Sequence, residues 1–162
     1  MSVKFKHDSA VGERLFTFWK SLDKNRGIRA ELRRCKTTTD VIMTPSYQRL
    51  CAQIRPMVAH EFHCEERMAA VIGLLSHLKS HTTDKKSFPQ QMAEKNGNNP
   101  IVSELRFRRL LQRDREDLYG PLIRILRMLN GKANLYSLSE SVFYWGDNVK
   151  KQWSFAYFPL IP

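Results

Sequence analysis

The sequence predicts an all-α fold, a compact helical bundle of about seven to nine helices in one domain or two small lobes. Three observations carry this. Apolar residues recur at helical spacing in segment after segment, no strand-like alternation persists, and Ser, Thr, Asn, Gly and Pro punctuate the periodic runs. The chain has 162 residues and is 42% hydrophobic, with three Trp, five Tyr and nine Phe, so it can bury a core and is not a disordered polymer.

In chain order, Ser9 caps a helix running to about Lys24, with Leu15, Phe16, Trp19 and Leu22 on its apolar face. Asn25-Arg26-Gly27 reads as a break. A short helix follows in which Ile28, Leu32 and Cys35 share one side, flanked by Arg29, Arg33 and Lys36, with Arg34 further round. Thr37–Asp40 reads as a capping turn. Thr44-Pro45 opens the next helix, which buries Tyr47, Leu50, Cys51 and Ile54 and ends at Pro56. Met68, Val71, Ile72, Leu75 and Leu78 mark a central helix from about Cys64 to Lys79.

Residues 80–100 form the long polar segment, with a short helical piece near Gln90–Glu94. A segment of this kind inside a compact domain is more often functional than filler. The expected organisation is therefore an N-terminal lobe (1–82), a basic polar connection (83–100) and a C-terminal lobe (101–162) carrying arginine-rich helices. Beyond Gly131, the residues Leu135, Leu138, Val142, Trp145, Val149, Trp153 and Tyr157 are spaced for one or two further core helices.

The C-terminal lobe holds the strongest functional signal. In Ser103–Arg113, Phe107, Leu110 and Leu111 fall in one arc at about 100° per residue, while Arg106, Arg109 and Arg113 line a neighbouring flank. Leu122, Ile125, Leu126 and Leu129 form a second apolar stripe, with Arg124 and Arg127 on its far face. The chain carries 27 Lys+Arg against 16 Asp+Glu, a formal charge of +11. Such a balance attracts phosphate backbones or anionic lipid. Solvated helix faces usually alternate signs, and these arginine clusters do not, so nucleic-acid binding through phosphates is the expectation.

Other chemistries lack their residues. There is no GxxxxGK[ST] loop and no GxSxG elbow, and Asp114, Glu116 and Asp117 fit a helix start better than a metal site, so no enzyme is expected. His60, His63 and Cys64, even with His77 and His81, lack the paired spacing of a zinc site, so neither metal nor cofactor is expected. No apolar run suits a signal peptide or a membrane span. Cys35, Cys51 and Cys64 therefore read as reduced thiols of a cytoplasmic protein with no membrane partner.

Several segments together resemble one family. Arg29-Ala30-Glu31-Leu32-Arg33-Arg34 resembles an RAxLRR helix, and Pro45-Ser46-Tyr47-Gln48-Arg49-Leu50 a P-x-[FY]-x-R-L turn. Ser103–Leu111 is close to SERRFRRLL, Leu122–Leu129 to LxRLxRLL, and Trp145, Trp153 and Tyr157 to a closing W…W…Y pattern. The order resembles CasB, the small subunit of the type I-E CRISPR Cascade effector complex. Leu105 stands where that family often has arginine, and Phe88-Pro89 where its loop usually has glycine.

The resemblance implies a non-catalytic subunit of an RNA-guided antiviral complex, with two copies head to tail. Its partners would be the backbone and large subunits, the guide RNA–DNA hybrid and the displaced non-target DNA strand. It implies strand-contacting roles for Arg34, Lys85, Lys86, Arg113, Arg115 and Arg124. Helical phase adds Arg33, Arg106, Arg109 and Arg127. Two other readings stay open. One is a helix-turn-helix regulator whose recognition helix spans 103–113, although Glu104 and Leu105 occupy the end that would read bases. The other is a basic bundle that only bridges protein subunits.

Overall fold

The computed structural model describes residues 3–61, 63–83 and 85–162. The described residues form ten α-helices with four strands of two residues each. The all-α expectation holds. The helix number exceeds the expected range because two five-residue helices join the longer ones. Contacts divide the chain into two compact units, Met1–His77 and Leu78–Pro162.

The first unit comprises α1 (Ala10–Ser21), α2 (Arg26–Arg34), α3 (Thr38–Ile42), α4 (Pro45–Val58) and α5 (Cys64–Leu75). Ser9 caps α1 by accepting from the Gly12 N–H. Gly12 is required there, since a Cβ would meet the Lys6 carbonyl oxygen at 1.9 Å. The segment read as a turn at 37–40 begins α3, because the Thr37 hydroxyl accepts from Asp40 N–H at 3.1 Å and nucleates a helical turn. Pro56 lies inside the final turn of α4 rather than ending it. α5 is the core helix of this unit, with Met68, Ala69, Val71, Ile72, Leu74 and Leu75 all buried. The Tyr47 hydroxyl ties α4 to α5 by donating to the Glu65 carbonyl at 2.5 Å. Burial pushes the Cys35 and Cys64 thiols up, away from the thiolate form.

The second unit begins with β1 (Ser80–His81), α6 (Phe88–Met92) and the hairpin β2 (Lys95–Asn96)–β3 (Asn99–Pro100). It continues with α7 (Glu104–Leu111), a 3₁₀ turn at Arg115–Asp117, α8 (Tyr119–Met128), β4 (Lys132–Ala133), α9 (Leu135–Phe143) and α10 (Asp147–Tyr157). A 3₁₀ turn at Phe158–Leu160 follows. β1 and β4 pair in parallel, Ser80 with Lys132 and His81 with Ala133. Gly131 makes the turn into β4 with φ +72°, and a Cβ there would lie 2.7 Å from Lys79 Cγ.

The core of this unit is aromatic. Phe107 stacks on Tyr157 at 3.8 Å between centroids, and Trp153 packs on Phe88 at 5.6 Å and Trp145 at 4.9 Å. The Tyr157 hydroxyl donates to the Val102 carbonyl at 2.6 Å, and its burial pushes its pKa up to about 12. Phe107, Trp145, Trp153 and Tyr157 stand at positions whose spacing predicts the core, whereas Phe88 comes from the segment read as polar and is fully buried.

Candidate nucleic-acid interface

The site grows out of how α7 and α8 begin. Ser103 accepts from the Arg106 N–H at 3.2 Å and fixes the first turn of α7. Burial of Phe107 and Leu110 then sets the helix phase and turns Arg106 and Arg109 outward. Arg113 follows the helix end, and its carbonyl accepts from the Trp145 indole N–H at 2.9 Å, which holds the backbone there. On α8, burial of Leu122, Ile125 and Leu126 leaves Arg124 exposed, with its Nη1 3.9 Å from where a Gly120 Cβ would stand.

Arg106, Arg109, Arg113 and Arg124 consequently line one open cavity of about 220 Å³, together with Ser103, Leu105, Leu110, Pro121 and Ile125. Its lining combines four arginines with the apolar side chains of Leu105, Leu110, Pro121 and Ile125. Leu105, at the position where the resembling family often has arginine, is 59% exposed on this wall. Among the described residues no carboxylate forms an ion pair with any of the four arginines. The Glu104 carboxylate pairs instead with Arg108, at 3.7 Å. Like charges gathered this way repel unless an anion joins them. Each guanidinium keeps a fork of donors suited to phosphate oxygens.

The other basic residues are placed differently. Arg127 is exposed on α8 and does not line the cavity. Lys85 is exposed, and Lys86 pairs with Glu94 at 3.0 Å. Arg33 and Arg34 are exposed in the last turn of α2, in the first unit, where Arg29 pairs with Asp23 at 3.4 Å. Arg115 has a structural engagement that its sequence position gives no sign of. Its guanidinium donates to the carbonyls of Val142 (3.2 Å), Phe143 (3.1 Å) and Trp145 (2.7 Å), closing the C-terminal end of α9.

The ligand-type residues are also dispersed in their bonding. His60 pairs with Glu61, His63 with Glu66, and the Cys64 thiol with Glu65. His81 accepts the Leu135 N–H at 3.0 Å and stacks edge-on against Tyr136. Among the described residues no three His, Cys, Asp or Glu side chains gather as a metal site, and no helix is long and apolar enough to cross a membrane.

Fold and site together define a basic, all-helical protein with arginines gathered around a single cavity of its second unit. The family described as CRISPR-associated protein Cse2 matches residues 28–158, and the chain belongs to that family, the CasB small subunit of type I-E Cascade. No curated protein sequence matches the chain. Among solved structures, a chain in the crystal structure of E. coli Cascade bound to a PAM-containing dsDNA target has the same fold. The TM-score is 0.69 at 19% identity, over 90% of this chain and 93% of that one.

Proposed function

We propose that this protein is a non-catalytic subunit of an RNA-guided surveillance complex that holds the displaced, non-target DNA strand. The observation that carries the reading is the convergence of Arg106, Arg109, Arg113 and Arg124 on one cavity, with no carboxylate paired to them among the described residues. Forming an R-loop exchanges one duplex for another of similar stability, so contacts to the strand left single tip the balance. A guide supplies the sequence specificity. The subunit therefore needs phosphate contacts that accept any sequence, and a cluster of arginines provides them. Within the complex its partners are the backbone and large subunits, a second copy of itself, and the guide RNA–DNA hybrid beside the strand. Lys85, Arg127, Arg33 and Arg34 extend the basic surface, whereas Arg115 serves the fold.

The helix-turn-helix reading loses its geometry, since the β2–β3 hairpin separates α6 from α7 where a short turn would be needed. The test is a salt titration of binding to scrambled single-stranded DNA, duplex DNA and RNA. Wild type is compared with the triple variant Arg109→Ala/Arg113→Ala/Arg124→Ala. Wild type should bind single strands whatever their sequence. Its log affinity should fall linearly with log salt, and the variant's slope should be shallower by about 2, at about 0.7 per single-strand phosphate contact. Equal slopes would remove these arginines from the interface. Absence of any binding by the folded chain would favour protein bridging.

A further inference from the structure

α10 buries Val149, Trp153 and Tyr157 along one face. On the opposite side Phe155 stands 80% exposed, the one exposed aromatic ring among the described residues. It forms one wall of a shallow groove of about 300 Å³ shared with Lys150, Lys151, Ser154 and Asp147. Lys151 is one helical turn before Phe155, about 6 Å along the axis. Lys150 lies beside it, with its ammonium 5.8 Å from the Trp145 ring centroid. The Ser154 hydroxyl donates to the Lys150 carbonyl, so the groove presents a bare ring, two cations and the Asp147 carboxylate.

We propose that Phe155 is a stacking platform for one unpaired base of the held strand, with Lys151 and Lys150 receiving the flanking phosphate. The inference rests on the strand-holding reading and adds a second contact point, outside the arginine cavity. Two features favour a nucleotide over an apolar protein surface. Lys151 precedes the ring by one turn on its own helix face, and one turn of helix matches the span of the sugar that separates a base from its phosphate. Asp147 stands one turn before both lysines, so the groove keeps a net charge of one cation. Stacking tolerates every base because every base has a π-face, which suits a subunit that must accept any target.

The experiment uses the full chain and two oligonucleotides of equal length and charge, oligo-dT and a fully abasic strand. Wild type should bind oligo-dT about fivefold more tightly, the low end for stacking on one aromatic. Phe155→Ala should lose that advantage and bind the abasic strand as wild type does. Phe155→Trp should keep it, with indole emission quenched by oligo-dT beyond any quenching in wild type. Phe155→Ala binding oligo-dT as tightly as wild type overturns the platform and leaves the arginine cavity standing. If that variant instead fails to join reconstituted Cascade while binding both strands normally, Phe155 is a protein contact. Wild type binding neither strand removes both readings.

Discussion

Arg115 and Arg113 show how two arginines a residue apart come to different work. Arg115 donates to three carbonyls at and just past the C-terminal end of α9, whereas Arg113 holds its place through its own carbonyl and leaves its guanidinium at the cavity. Arg115→Ala should lower stability by about 2 kcal/mol, from lost charge-assisted bonds at the end of α9. Arg113→Ala should leave the denaturation midpoint unchanged and weaken single-strand binding. Urea denaturation of both variants checks the contrast. His81 supplies a pH dependence. Its burial and its role as acceptor for Leu135 N–H at the start of α9 favour the neutral ring and lower its pKa. Its contribution to stability is complete above the unfolded value of about 6.5 and declines as pH falls through the lower folded value. The urea midpoint of wild type should therefore drop between pH 7.5 and pH 5 more than that of His81→Asn.

At the scale of elements, the turn between α8 and β4 depends on Gly131. Its positive φ and the 2.7 Å approach to Lys79 both exclude a side chain. Gly131→Ala should cost about 1–2 kcal/mol from the left-handed backbone alone. Gly120→Ala is the control, since its Cβ meets only the Arg124 guanidinium at 3.9 Å and its backbone is helical. Thermal melts of the pair should separate cleanly. The helices that the sequence displays best are those with a sustained apolar period. α7 is legible from Phe107 and Leu110, and α10 from Val149, Trp153 and Tyr157. That same period places Arg106, Arg109 and Arg113 on one flank, which is why three of the cavity's four arginines can be read together before any coordinates. Other features escape a one-dimensional reading. The partners of Arg115 are backbone carbonyls far along the chain, and α3 is too short to show a period. The exposure of Phe155, by contrast, is legible, since it lies out of phase with the buried stripe of α10.

For the molecule as a whole, a formal charge of +11 makes encounter with a polyanion fast and ionic-strength dependent. Stopped-flow association with single-stranded DNA should slow steeply as salt rises. The triple arginine variant should lose less of that acceleration than it loses in affinity, because the remaining cations still steer the approach. The second unit also differs from the first in how it must be made. Tyr157 stacks on Phe107 and bonds Val102, Trp153 covers Phe88, and β4 completes β1. Those ring contacts cannot close until α10 has been synthesised. Met1–His77, in contrast, already has its own contacts by mid-synthesis. A chain truncated before Trp153 should therefore keep a folded first unit and leave the apolar residues of the second open. Such a chain is marked for proteolysis, and its loss would report on translation fidelity at the final helix.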